Sequence, residues 1–520
     1  MLFQQHGQRH PLDAAGIPYG RFAVTLDCGE DSTTVGVTGK KLRLSINCRR
    51  DRRRVKLPFE EGALRAHFFT LEGNGLTDAK ESGLVVVLCE LHDLIDRLTM
   101  DAYGWPRGTP HGTGPASIGD PASIGKPASI GALAACWTLG ELARGWVFTG
   151  FPWLSLAYAQ PDGPLAIIAA GIGAYGLGGV VVAVAAALAS IASWRARGGA
   201  SVAIACGVVA AIVLALAGVG IAGASVIGAT GPVVSVRLLQ GNVEQGMKFD
   251  PQRALQAMND YTDDVLAGDA QLTVLPETAW TTTWRGTPPS IRDRLFSHLD
   301  RTGGRVAIGL PEPASGQSST NAGMLANAVV VRGPDGAVVG RYDKRQLVPF
   351  GEYVPPAFGW FVRMMNIPLG EFARGGPDQP PVRIGGQAFA FDICYEDLFP
   401  GLLRRQVLGG ATVLVNVSNI AWFGDSHALG QHLNISRMRA IELGRPMLRA
   451  TNTGMTASID PSGRVLAALA PLTRGALDVE VRGTVGETPY ARFGHWPAAA
   501  FAIAWLLAQG AWRRRAARKS

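Results

Sequence analysis

Three residues whose types could do acyl chemistry each stand just past an apolar, strand-like run: Glu277 in LPETAW, Lys344 in GRYDKRQLVPFGEYVP and Cys394 in FAFDICYEDLF. Functional groups cluster at such places because the sheet fixes the residue while the loop beyond it leaves room for a substrate. A thiol with an ordinary pKa of about 8.5 is a weak nucleophile until a base takes its proton or a cation stabilises the thiolate. A carboxylate can be that base, and a lysine ammonium can balance both the thiolate and the oxyanion of a tetrahedral intermediate. Taken singly, each residue has a plainer reading: Glu277 as a turn residue or helix cap, Lys344 as a solvated lysine, Cys394 as a small buried hydrophobe. The three together, in matching settings, favour chemistry. The nearby histidines, His298, His427, His432 and His495, end no clear strand, so a histidine base is not expected.

The elements that must position these residues follow from period and punctuation. Strands are predicted at 233–239, 271–275, 304–310, 327–332, 337–342, 388–394, 411–418, 446–450, 456–460, 464–469 and 475–482, with helices at 251–267, 289–302, 400–408 and 427–444. GPDG at 333–336 and DPSG at 460–463 read as hairpin turns. The mixture is α/β: a largely β sandwich with helices on its outer faces.

The rest of the chain is unlike a soluble globule. Of 520 residues, 47% are hydrophobic and only 17% charged, which directs attention to membrane spans. The stretches 164–194 and 199–229 are long, apolar and free of charge, and each exceeds the roughly 20 residues a helix needs to cross a bilayer. A shorter run, Trp496 to Trp512, is flanked by aromatics and stopped by arginines, as at a membrane boundary. Arg195 and Arg197 between the first two spans, and the basic tail from Arg513, are expected on the cytoplasmic side. Residues 231–495 then face the periplasm or its equivalent.

The net charge of +8 could suggest nucleic acid. Anchoring beside anionic lipid explains the basic tail more simply, and no nucleic-acid partner is expected. The six cysteines show no metal-ligand spacing, and Cys394 is the one within 231–495. A lone thiol in an oxidising compartment asks for a chemical reason. Residues 1–130 carry no apolar run of spanning length and end in the repeat PASIGD PASIGK PASIGA, which reads as a low-complexity linker. The next stretch, 131–160, is an apolar, aromatic helix candidate with Glu141 and Arg144 at i, i+3. It either enters the membrane with a self-neutralising pair or lies at the interface.

The order Glu277, Lys344, Cys394 resembles the Glu-Lys-Cys triad of the nitrilase superfamily. The words LPETAW, YDKRQLVPFGEYVP, CYEDLFP and NVSNIAWFGDSHALGQH resemble its membrane branch, the apolipoprotein N-acyltransferases. RGWVFTGFPWLSLAYAQ at 144–160 and RPMLRATNTGMTASIDPSG at 445–463 extend the likeness, which covers about 131–515. It implies a nitrilase-like α-β-β-α sandwich domain at 231–495, attached to a multi-span α-helical membrane domain made of 131–230 and 496–520. By resemblance, Glu277 is the general base, Cys394 the nucleophile and Lys344 the stabiliser of charge. Glu352 matches a further essential acid, and Tyr395 and Glu396 match residues beside the nucleophile, with the Tyr395 amide as second oxyanion donor. Phe249, Asn327, Asn419 and Trp422 fall in matching loops that shape the pocket. Where the family usually has a tryptophan, this chain has Phe249, and the further spans usual before the segment matching 131 have no counterpart in 1–130.

The implied reaction is ping-pong acyl transfer in the inner (plasma) membrane, with the catalytic domain on the periplasmic or outer face. A phospholipid is the acyl donor and a diacylglyceryl apolipoprotein the acceptor. No metal or other cofactor is needed. With water as acceptor the same triad would make an anchored amidase, and a degenerate copy would be inactive. The spans and PFGEYVP favour transfer.

Overall fold

A computed structural model of the chain describes residues 127–192, 199–244, 251–315, 323–354 and 372–518, together with short strands before residue 59. The chain divides into two compact units, Met1–Pro106 and Arg107–Ser520. Within the first, Phe22–Cys28, Asp31–Thr38, Lys41–Ile46 and Val55–Pro58 form an antiparallel four-stranded sheet.

The second unit begins with three long helices, α1 (Pro127–Arg144), α2 (Ala169–Ala192) and α3 (Gly199–Ser225). Helix α1 starts inside the last PASIG copy, where a linker was expected. Proline at a helix start is tolerated because its missing N–H has no partner there anyway, and the apolar GALAACW that follows carries the helix onward. Among the described residues, Ala166–Ile191 and Val202–Ser225 are long and apolar enough to cross a membrane. Leu214 and Ile221 of α3 are largely exposed. The region from Trp496 is also helical, as α9 below, but it does not reach that standard of length and apolarity.

The sandwich follows. Its first sheet runs β5-β4-β3-β2-β1-β12, with β1 (Val234–Gln240), β2 (Leu272–Val274), β3 (Arg305–Pro313), β4 (Leu325–Arg332), β5 (Val338–Asp343) and β12 (Gly475–Val481). The second runs β6 to β11 in chain order: β6 (Val382–Ile384), β7 (Gln387–Ile393), β8 (Val413–Ser418), β9 (Met447–Thr451), β10 (Ala457–Ile459) and β11 (Val465–Ala468). The central strands β7, β8 and β9 are parallel and buried along their whole length. This is why their sequences are continuous apolar runs with little alternation.

Val236, Leu238, Val274 and Val329 of one sheet meet Phe391, Ile393, Val415 and Leu448 of the other in a single core. Outside the first sheet lie α4 (Pro251–Leu266) and α5 (Pro289–Thr302). In α4 the buried residues are Met258, Tyr261, Thr262 and Val265, the i, i+3, i+4, i+7 stripe of an amphipathic helix. Outside the second sheet lie α6 (Pro400–Leu408) and α7 (Ala428–Leu443). The four layers are α-β-β-α, the arrangement that the resemblance implies. After α8 (Pro489–Phe493), α9 (Trp496–Ala517) packs against α1, where the small face of Gly131 receives the Trp505 indole.

Helix α2 is joined to the sandwich by a break. Gly173 has φ 75°, which interrupts the helical ladder, and the amide freed at Ala174 donates to Glu442 of α7 at 2.5 Å. A helix start offers unpaired N–H groups and positive potential, so a carboxylate belongs there.

Gly309 of β3 lets the Pro276–Glu277 backbone pass close by. A Cβ at 309 would lie 2.3 Å from the Pro276 carbonyl oxygen and 2.8 Å from the Glu277 Cα. Gly309→Ala is therefore expected to lower stability by about 1–3 kcal/mol through forced backbone movement. Chemical denaturation checks this, and an unchanged midpoint would mean the Glu277 loop moves aside freely.

Candidate active site

Three strand ends converge. Glu277 follows β2, Lys344 follows β5, and Cys394 follows β7 at the start of the turn Cys394–Leu398. The Lys344 ammonium lies 2.9 Å from Glu277 Oε1 and 2.9 Å from Glu352 Oε1. Lys344 is 1% exposed, so this is a buried cation between two carboxylates and not the solvated lysine of the plainer reading. Asn327 of β4 donates through Nδ2 to the same two oxygens, at 2.8 Å each. The backbone closes the set: the Asn419 amide donates to Glu277 Oε2 at 2.9 Å, and the Val348 amide to Glu352 Oε2 at 2.9 Å.

Burial alone would push the Glu277 carboxyl up. The Lys344 ammonium, with hydrogen bonds from Lys344, Asn327 and the Asn419 amide, more than reverses this and holds it below its ordinary value. Lys344 is pulled the other way: burial would lower it, but Glu277 and then Glu352 keep it well above the usual lysine range. Glu277 is thus ionised and Lys344 charged across the neutral range. The Cys394 thiol is pushed up, first by burial and then by the Glu277 charge, against the pull of Lys344, the Ser418 hydroxyl and the Asn419 amide. The resting site therefore holds a neutral thiol beside an ionised base.

Glu396 braces this arrangement. Its Oε1 accepts from the Arg345 and Gln346 amides at 2.8 and 2.9 Å and from the Tyr342 hydroxyl at 3.1 Å; Oε2 accepts from the Ile393 amide at 2.8 Å. One carboxylate so ties the turn carrying Lys344 to the strand carrying Cys394. Burial pushes it up to about 7, opposed by the Gln346 and Ile393 amides. The Tyr395 side chain turns away from the triad. Its hydroxyl donates to the Gly150 carbonyl, and its ring stacks on Phe151 at 6.1 Å. Gln346 reaches the same segment through the Thr149 carbonyl at 2.7 Å. A segment between α1 and α2 thereby forms a wall beside the turn that carries Cys394.

Of the residues assigned to the pocket by resemblance, Asn327 and Asn419 bind the Glu277 carboxylate directly. Trp422 stands on the loop after β8 with 73% of its surface exposed, and Phe249 lies outside the described residues. Four residues close to the nucleophile drew no notice in the sequence as site residues: Asn416, Ser418, His432 and Arg449. His432 Nε2 meets the backbone carbonyl of Cys394 at 3.3 Å.

The Carbon-nitrogen hydrolase family model matches residues 235–490, and the model for the Apolipoprotein N-acyltransferase N-terminal domain matches 116–187. The apolipoprotein N-acyltransferase of Ralstonia nicotianae is 45% identical over 392 residues, covering 74% of this chain and 71% of its own. That of Bordetella bronchiseptica is 43% identical over 404 residues, covering 74% and 73%, and that of Nitrosomonas europaea 41% over 373, covering 70% and 71%. Among solved structures, an amidase from Nesterenkonia sp. aligns at 21% identity and a TM-score of 0.36, covering 51% of this chain and 94% of the amidase.

A thiol held up by burial is expected to alkylate slowly at neutral pH. Its rate with iodoacetamide, followed on the Cys394 peptide by mass spectrometry, should climb about tenfold per pH unit from 7 to 9, since only the thiolate reacts. A plateau below pH 8 would mean a thiolate already held in the resting site.

Proposed function

The chain belongs to the apolipoprotein N-acyltransferase family, and from that premise we propose how its residues move an acyl chain. The activity is transfer of a fatty acyl group to the N-terminal amine of lipoproteins. The donor is a membrane phospholipid, and the acceptor is the diacylglyceryl-cysteine at the apolipoprotein N-terminus. The observation that carries the assignment of roles is the buried Lys344 ammonium, 2.9 Å from both Glu277 and Glu352, beside the Cys394 thiol.

Glu277 takes the thiol proton as the Cys394 sulfur attacks the ester carbonyl of the phospholipid. The oxyanion that forms is balanced by the Lys344 ammonium and the Tyr395 amide. When the C–O bond breaks, Glu277 returns its proton to the departing lysophospholipid oxygen, and the acyl chain stays on sulfur as a thioester. The acceptor amine then attacks the thioester, and Glu277 takes the amine proton. Collapse expels the Cys394 sulfur, which regains that proton, and the new amide leaves. No step requires water. Asn327 and the Asn419 amide hold Glu277, the exposed Trp422 is open to the substrate head groups, and Glu352 fixes the lysine.

This reading has the sandwich standing on the periplasmic or outer face of the inner membrane, held by several spans. The two apolar helices support it, as do the exposed Trp496 and Trp512 towards the ends of α9, which suit the two interfaces of a bilayer. Both substrates keep their chains in lipid and lift only their reactive ends.

The test is transfer itself. Purified protein is given phosphatidylethanolamine with a labelled acyl chain and a diacylglyceryl lipopeptide. The label should pass to the peptide amine, and Glu277→Gln should slow transfer by about a hundredfold or more, as for loss of a general base. Release of ammonia from simple amides with no labelled lipopeptide would favour the amidase reading and overturn this one.

A further inference from the structure

Cys394 has φ 54°, a left-handed conformation that a residue with a side chain adopts only when its surroundings impose it. The surroundings act on its carbonyl. That oxygen accepts from Asn416 Nδ2 at 3.2 Å and from His432 Nε2 at 3.3 Å. His432 sits on α7 with no exposed surface. Its Nδ1 faces Arg449 Nη2 at 2.9 Å. A guanidinium can only donate, so Nδ1 accepts and the ring proton is on Nε2. That proton is directed at Cys394 O and at Asp397 Oδ1, 3.2 Å away.

Asp397 is fixed in turn by the Ser436 hydroxyl at 2.6 Å and Arg449 Nη1 at 3.2 Å, and the Trp153 ring stacks on the imidazole at 5.5 Å and 14°. A fully buried His, Asp and Arg are costly compared with an apolar filling of the same space. The network therefore asks for a role beyond packing.

The peptide bond supplies the role. A trans peptide is planar, and the C=O of Cys394 and the N–H of Tyr395 point in opposite directions across it. Drawing the carbonyl into the His432 network therefore turns the Tyr395 N–H away from that network. We propose that His432 is a positioning residue for acyl transfer: by holding the Cys394 carbonyl it aims the Tyr395 amide at the oxyanion. Asn416 shares this task, and Arg449 sets the tautomer that makes it possible. The proposal rests on Cys394 being the acyl-carrying nucleophile.

Two reactions at one sulfur separate this role from a structural one. Acyl transfer needs the oxyanion donor, whereas alkylation by iodoacetamide does not. His432→Phe keeps the ring and its stacking but loses the donor. It should lower kcat for transfer about a hundredfold, the usual effect of losing one oxyanion-hole donor, with KM within about twofold and the alkylation rate within about threefold. His432→Gln retains an N–H donor and should recover at least about tenfold of that loss. Transfer and alkylation falling together, or transfer unchanged in His432→Phe, would overturn the proposal. If His432→Phe does not fold, Asn416→Ala removes the other donor to the same carbonyl: loss of transfer with alkylation kept supports the proposal, and joint loss overturns it. A wild-type chain that alkylates at Cys394 but moves no acyl chain would sink the underlying reading, and this inference with it.

Discussion

One buried ammonium between two carboxylates governs this molecule. Lys344 touches Glu277 and Glu352 at equal distance, and Asn327 bridges the same two oxygens. Taking three ions out of water costs several kcal/mol for each, and their attraction offsets this only if the geometry is close and every remaining lone pair is met. Here the amides of Asn419 and Val348 meet them. The arrangement also suits the chemistry. In the proposed reaction the thiol proton passes to Glu277, so that a carboxylate becomes neutral as a thiolate appears and the total charge around the buried Lys344 does not change.

The fold follows from the need to bring these charges together. Glu277 and Lys344 end strands of one sheet, while Cys394 ends a strand of the other, so the site forms where the two sheets of the sandwich meet. Glu396 ties the Lys344 turn to the Cys394 strand through both carboxylate oxygens. The segment from Thr149 to Trp153, which lies between α1 and α2, is held by Gln346, Tyr395 and Gln431. The turn that carries Cys394 is so fixed on one side by the sandwich and on the other by the chain that leads to the apolar helices.

The sandwich was legible because its strands are apolar runs bounded by turn residues. The run at 411–418, for example, is strand from Val413 to Ser418, and the helix expected at 289–302 spans those residues. The convergence of Glu277, Lys344 and Cys394 was legible only as a set, since each member has a plainer reading alone. The His432 network was not legible. Its members come from four elements, and α7 is buried on nearly every side, so its sequence shows no apolar stripe from which a polar residue could stand out. The break at Gly173 was hidden for a related reason. In GIGAYGLGG several glycines could bend the chain, and only packing against Tyr490 and the Glu442 carboxylate selects one. The linker expected up to residue 132 fails at Pro127, because the third PASIG copy runs straight into residues that favour a helix.

The proposed reaction requires that Cys394 carry the acyl chain. The most direct measurement is the mass of the Cys394 peptide after the protein has met phosphatidylethanolamine with no acceptor present. The expected result is an added acyl chain on Cys394, removed by hydroxylamine, discharged by a diacylglyceryl lipopeptide and absent in Cys394→Ala. A lipopeptide acylated by the Cys394→Ala chain, or by a wild-type chain whose Cys394 never gains that mass, would contradict it.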